Sequence, residues 1–507
     1  MFCSILSAAI SGVEALPVSV EADVSDGMPQ FSMVGFVSSQ VREAQDRVRT
    51  ALRNMQVVLP PKRITINLSP GDLRKEGTRF DLPIAAAVLC ALGHIPEDAL
   101  AGTMVMGELH LDGRVGKITG VLPSVITARD AGCRRAIVPA ENLAEGRAVK
   151  GIRVVGIRTL RDLFRYAAGE ELPGQEAEPQ EAVPAEDGVD FGDIRGQQTV
   201  KRAALIAAAG FHNLLLQGPP GSGKSMTARR IPTILPRMSA EESLEVSRIY
   251  SIVGLLPPGQ ALIRERPFRA PHHGITAPAL CGGGLYPRPG EVTLSHRGVL
   301  FLDELPEMNP ATLEMLRQPL EDREITVTRV GGTCRYPASF LLVAAMNPCP
   351  CGYYPDRSRC TCGPREIQAY HARISQAVLD RVDIHCEVPA ASYEDLAERK
   401  ADAVTSDMLR RKVGEAYRLQ EERYAREKFR FNSEIPPDAI DRYCPRTAGA
   451  GRMLQAAFTS LGLSARGYHH VIRVARTIAD LDGAQKISEA HVSEALCCRN
   501  SDRRTGI

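Results

Sequence analysis

The segment NLLLQGPPGSGKS, Asn213 to Ser225, leaves this chain little choice of architecture. An apolar run enters a glycine-rich loop, and a helix start follows at once. The loop, Gly218 to Ser225, satisfies G-x-x-x-x-G-K-[ST]. Its glycines let backbone N–H groups wrap an anion at a helix N-terminus. Gly218, Pro219, Pro220, Gly221, Ser222, Gly223, Lys224 and Ser225 therefore form a candidate phosphate-binding loop. Lys224 is placed to reach the β- and γ-phosphates, and the Ser225 hydroxyl to ligate Mg²⁺. ATP and Mg²⁺ are the cofactors this pattern implies.

Two later apolar runs extend the argument. RGVLFLDELPE ends its run at Asp303 and Glu304, and SFLLVAAMNP ends its run at Asn347. Apolar runs separated by helical stretches predict a parallel sheet, whose strand ends present ligands. Asp303 is then a candidate for the Mg²⁺ shell and Glu304 for polarising the attacking water. The bland alternative is two solvated acids after a core strand. Asn347 either orients that water or simply forms a turn. Arg381, in AVLDRVDIH, is either a local ion-pair partner or a finger that completes a neighbouring subunit's site. Arg466, in LSARGYHH, is a second cation candidate; Arg473 and Arg476 lie further along the same helical stretch.

The chain has 507 residues, enough for about two to four domains. Residues 169–188, GEELPGQEAEPQEAVPAEDG, are rich in Glu, Pro and Ala and read as a linker. They separate a domain at 1–168, mixing strand-like RITINLSP and RAIVPA with helical runs, from a P-loop core at 189–391. From residue 392 to 507 the pattern turns helical and charged, which predicts an all-helical lid. The fold class is α/β. No apolar run is long enough for a membrane span, and the first basic residue is Arg42, so no secretory signal is expected. Thirteen cysteines suit a reducing, cytoplasmic setting better than a disulfide framework.

These residues together resemble the AAA+ ATPases, in particular the Mg-chelatase-like group often called YifB/ComM. FRAPHHGITAPALCGGGLYPRPGEVTLSHRGVLFLDELPE, Phe268 to Glu307, looks like that group's signature, as does the run from AAMNPCPCG to LDRVDIH. The resemblance covers essentially the whole chain. It implies that Asn347 is sensor 1, Arg381 the trans-acting finger and Arg466 sensor 2. It further implies a hexameric ring that translocates on single-stranded or branched DNA, with helicase and branch-migration activity in recombination and natural transformation. The other reading is a chelatase-type subunit driving metal insertion into a porphyrin. EITVTRVGGTCRYPASF, Glu324 to Phe340, alternates around a GG turn as a β-hairpin does. In related translocases such hairpins line the pore, which makes Arg329 and Arg335 candidate DNA contacts; a solvated hairpin is the alternative. His272 and His273 read as loop-forming or DNA-facing.

The first domain resembles the Lon protease catalytic domain. Its nucleophile turn reads KEGTRFD, Lys75 to Asp81, with Arg79 in the nucleophile position and Leu122 where the lysine base belongs. A Ser–Lys mechanism needs both groups, so no peptidase activity is expected. Arg79 would point toward nucleic acid or form a surface ion pair.

NPCPCGYYPDRSRCTCG carries Cys349, Cys351, Cys360 and Cys362 directly after Asn347. Four cysteines have the composition of a zinc site, although C-x-C-x₈-C-x-C departs from the common C-x₂-C knuckle. Zn²⁺ and free thiols stand as the two readings.

Overall fold

The computed structural model describes residues 1–174, 188–257, 259–284, 287–329, 332–390 and 404–499. Most of the expected linker, 175–187, lies outside them. So does 391–403, the start of the expected helical region. The chain forms two compact units. The first holds 1–184 together with 240–264; the second holds 185–239 and 265–507.

In the first unit, β1 (Phe2–Ser11) and β2 (Glu14–Ser25) form a long antiparallel hairpin with residues alternating between core and solvent. Gly12, at φ 63°, supplies the left-handed turn position between them. With β3 (Gln30–Val34), β4 (Arg63–Ser69), β5 (Thr103–Val105), β8 (Arg135–Pro139) and β9 (Arg153–Ile157) they make a mixed seven-stranded sheet ordered β3-β4-β2-β1-β5-β8-β9. Two short strands, β6 (Glu108–Leu109) and β7 (Val115–Gly116), pair separately. The helix Asp81–Ala91 is buried at every position, which its apolar run from Leu82 to Ala91 requires, and its buried Asp81 is paired with Arg47.

Arg79 precedes that helix and is itself buried, at 5% exposure. Its guanidinium donates to the backbone carbonyls of Ala8 and Thr119 and to the Ser124 hydroxyl. Burial pushes its pKa down to about 10, partly offset by Glu145. The surface ion pair and the nucleic-acid contact expected for Arg79 are both wrong: the side chain fills the interior beside the turn. Leu122 is also fully buried, in the apolar cluster with Met104, Val125 and Ala136.

Residues 240–264 belong by sequence order to the P-loop region, yet they cluster with the first unit. Leu244 and Leu262 pack on the cluster around Leu122. The Gly120 N–H donates to the Ser251 carbonyl at 2.8 Å, and the Ser251 hydroxyl bonds Glu145. Glu145 also accepts from the Leu122 N–H at 2.9 Å, capping the helix Val121–Asp130.

The second unit is built on a parallel five-stranded sheet: β10 (Leu214–Gln217), β11 (Phe268–Arg269), β12 (Val299–Leu302), β15 (Leu341–Met346) and β16 (Ile384–Glu387), in the order β11-β12-β15-β10-β16. β12 and β15 are buried at every residue, as a sheet covered on both faces demands. β13 (Glu324–Arg329) and β14 (Gly332–Pro337) form the expected antiparallel hairpin, with Arg329 opposite Gly332 and Arg335 opposite Thr326. Ile325, Val327 and Tyr336 point inward, while Arg329 and Arg335 are exposed. Helices Ser406–Tyr424, Ala448–Leu461, Ala465–Leu481 and Glu489–Cys497 follow and share one apolar core with the sheet. A buried polar knot joins them to it. Burial alone would raise the Asp383 carboxyl, but His470 and His212 hold it well below the usual range.

Replacing Arg79 by Ala leaves a cavity and unpaired carbonyls, and should lower stability by about 2–4 kcal/mol. Urea denaturation followed by a probe in the first unit checks this. A surface arginine would change it by only about 0.5 kcal/mol or less.

Candidate functional site

The sheet brings three strand ends together. Gln217 pairs with Met346 at the ends of β10 and β15, and Leu302 pairs with Ala344 near the end of β12. The phosphate-loop residues, Asp303 and Asn347 therefore leave the same edge. Gly218 has no room for a side chain, because a Cβ there would collide with the Val388 carbonyl oxygen. Gly221 and Gly223 adopt φ 75° and 88°, and the helix Lys224–Ile234 starts directly after them. The loop thus presents its amides at a helix N-terminus.

The Lys224 ammonium donates to the Gly218 carbonyl (2.7 Å), the Pro219 carbonyl (2.9 Å) and Asn347 Oδ1 (3.1 Å). Burial lowers its pKa, and Asp303 and Glu304 oppose that shift. The Ser225 hydroxyl donates to Asp303 Oδ2 at 2.8 Å, while Asp303 Oδ1 accepts the Glu304 N–H at 2.9 Å. Glu304 sits at φ 50°, a left-handed conformation that costs a residue with a Cβ about 1–2 kcal/mol. Its carboxylate lies 2.9 Å from His273 Nδ1 and is half exposed. Lys224, Ser225, Asp303, Glu304 and Asn347 form one connected cluster.

The residues suit a nucleoside triphosphate with Mg²⁺. Ser222 Oγ is buried without a hydrogen-bond partner, within a loop whose glycines are turned to expose backbone amides. The Ser225–Asp303 pair supplies hard oxygen donors, the kind Mg²⁺ prefers.

Arg381 and Arg466 are brought to each other. Arg381 bonds Glu321 and donates to the Ala377 carbonyl at 2.6 Å; Arg466 donates to the other oxygen of Glu321 at 3.4 Å. The hydrogen bond from Arg381 leads the contacts that hold the Glu321 carboxyl low. Of the remaining cation candidates, Arg476 is 1% exposed and bound to Asp480, so it is a structural residue.

The four cysteines converge. Their sulfurs lie within 4.8 Å of one another, and Tyr370 and Ile367 belong to the helix that follows. A hydrogen bond from the Tyr353 backbone leads the contacts that lower the Cys351 thiol to about 6.

Several site residues escaped the sequence reading. Gln197, at φ 48°, donates to the Ser222 carbonyl at 2.7 Å and steadies the loop from before β10. Glu321 is one acid among many in its segment. His273, which reads from the sequence as loop-forming or DNA-facing, lies with Nδ1 2.9 Å from the Glu304 carboxylate, a contact the sequence does not show.

A parallel sheet with a phosphate loop on a central strand, an acidic pair on a second strand and a polar amide on a third defines a P-loop ATPase of the AAA+ type. Sequence comparison adds the particulars. The profile "Magnesium chelatase, subunit ChlI" matches residues 190–396, "Subunit ChlI of Mg-chelatase" matches 20–142, and the ChlI C-terminal profile matches 403–499. Competence protein ComM of Haemophilus influenzae is 42% identical over 97% of this chain and 96% of its own. The uncharacterised YifB of Salmonella typhimurium is 40% identical over 97% and 96%. The magnesium-chelatase 38 kDa subunit of Rhodobacter capsulatus is 26% identical over 62% of this chain and 87% of its own. The chain belongs to the Mg-chelatase-like AAA+ ATPases, in the group of ComM and YifB.

Asp303→Asn weakens the oxygen set around Ser225. Nucleotide affinity measured with Mg²⁺ should fall about tenfold or more, while affinity measured in excess EDTA should stay unchanged.

Proposed function

We propose that the protein is a cytoplasmic, ring-forming motor, a hexamer, that uses ATP hydrolysis to translocate on DNA, with helicase and branch-migration activity in recombination and natural transformation. The cluster of Lys224, Ser225, Asp303, Glu304 and Asn347 carries the ATP-hydrolysing part of this reading, and the 42% identity to ComM supports the DNA part. In this reading the phosphate loop and Lys224 bind the β- and γ-phosphates. Ser225 and Asp303 hold Mg²⁺, which neutralises phosphate charge when bound. Asn347 orients the attacking water and Glu304 takes its proton. The four cysteines are the place for Zn²⁺.

Arg381 and Arg466 share Glu321, and neither hydrogen-bonds to the phosphate cluster. That supports Arg381 as the finger toward a neighbouring subunit's nucleotide and leaves Arg466 as sensor 2, with Glu321 holding both guanidinium groups ready. The helices from Ser406 to Cys497 serve as the lid. The exposed Arg329 and Arg335 of the hairpin grip DNA phosphates in the pore. The first unit keeps the Lon-protease-like plan without its chemistry, since buried Arg79 and Leu122 stand where nucleophile and base would be.

The chelatase alternative has support of its own: the profiles that match residues 190–396, 20–142 and 403–499 all carry the chelatase subunit's name. The first domain therefore does not by itself separate the two readings. Coverage does favour the ComM side, at 97% of the chain against 62%.

ATPase rate measured with and without single-stranded or forked DNA decides between them. The motor reading expects stimulation, and strand exchange on Holliday-type substrates. No stimulation, together with no DNA binding in ATP at low salt, overturns it. Arg381→Ala should leave nucleotide affinity intact and reduce turnover of the assembled ring by about 10³-fold. Arg329→Ala and Arg335→Ala should each weaken DNA binding alike for all sequences and flatten its salt dependence.

A further inference from the structure

The loop between Asn347 and Gly363 touches the phosphate loop at two places. At its start, Asn347 Oδ1 accepts from Lys224. At Gly352, between Cys351 and Tyr353, the backbone comes so close to the phosphate loop that a Cβ would lie 2.5 Å from Pro220 Cδ. Gly352 also sits at φ 87°, so both its shape and its neighbour require glycine.

The geometry of the four cysteines explains how a loop of this kind keeps its form. The Cys349–Cys351, Cys351–Cys360 and Cys349–Cys360 sulfur separations are 3.3, 3.6 and 3.8 Å. Thiolates at about 2.3 Å from a tetrahedral zinc are about 3.8 Å from each other. A disulfide would need about 2.05 Å, and all four are free thiols. The Tyr354 backbone N–H donates to Cys349 Sγ at 3.4 Å, the kind of outer contact that orients a metal-bound thiolate. Cys349 and Cys362 are buried and, with Ile367, form a small core of their own. Even with the half-buried Cys351, Tyr354 and Cys360 packed on them, these residues make a meagre apolar core for a loop that has no strand or helix within it.

We propose that Cys349, Cys351, Cys360 and Cys362 hold one zinc ion in a closed tetrathiolate site, and that this ion fixes Gly352 against Pro220, so that zinc occupancy sets the nucleotide affinity of the phosphate loop. Four protein ligands leave no open position, so the ion is structural rather than catalytic. Zinc binding displaces the thiol protons, and the tetrathiolate then ties both ends of the loop to one point. The tie couples the residue at the end of β15 to the loop at the end of β10. This inference rests on the reading of the phosphate loop as an ATP site.

The test uses the full-length protein. Purified protein should contain about one zinc per chain by elemental analysis, and Cys360→Ser should lose it. A fluorescent ATP analogue should bind the zinc-loaded protein, and removal of zinc by a chelator should weaken that binding about tenfold or more, with recovery when zinc is returned. Gly352→Ala is the second variant: it keeps four cysteines and full zinc content, but should still weaken analogue binding to a similar degree. Circular dichroism should show the fold retained in each case. Absence of zinc from protein purified without chelator overturns the metal site. Zinc removal with unchanged analogue affinity overturns the coupling. Failure of the zinc-loaded protein to bind the analogue at all overturns the nucleotide reading itself, an outcome distinct from the other two.

Discussion

Gly218 has no space for a side chain because β10 ends hard against the Val388 carbonyl beyond β16. That close approach ties the phosphate loop to the sheet, and the sheet decides where everything else falls. Parallel strands all present their C-terminal ends on one edge, so a lysine, a hydroxyl, two acids and an amide from three strands meet without a long-range search. The left-handed backbone at Glu304 is a local cost that the site sustains. The strand behind it is wholly buried, so the sheet has the rigidity to hold that turn.

The parts of this arrangement written in short segments could be read from the sequence. A strand, a glycine-rich loop and a helix start are contiguous, so the phosphate loop announces itself. Asp303, Glu304 and Asn347 each follow an uninterrupted apolar run, and the run fixes their position at a strand end. The β13–β14 hairpin is likewise a local alternation around a turn. What could not be read depends on residues distant in the chain. Glu321 matters because it lies between Arg381 and Arg466, which no spacing reveals. Gln197 reaches the site from another segment, and nothing in its own neighbourhood marks it.

Arg79 shows the same limit from the opposite side. Its position in the turn before an apolar helix was legible, but its direction was not. An arginine is expected at the surface, and only the tertiary structure supplies the two backbone carbonyls and the Ser124 hydroxyl that allow it to be buried. The side chain therefore fills the interior beside its turn and ties the turn to Ala8, Thr119 and Ser124.

The excursion at 240–264 means that dividing the sequence between residues 174 and 188 does not divide the two units. Because that segment leaves the second unit after the helix Lys224–Ile234 and rejoins it before β11, the chain passes between the units three times. A cut between residues 174 and 188 would sever one of these passes and leave the second fragment still carrying 240–264 of the first unit. Neither half produced by dividing the gene there would be whole, since the first would lack the helix that caps its Leu122 cluster and the second would carry that helix with its apolar face uncovered. In evolutionary terms, the two units cannot be shuffled as separate modules at the linker: they must be inherited together.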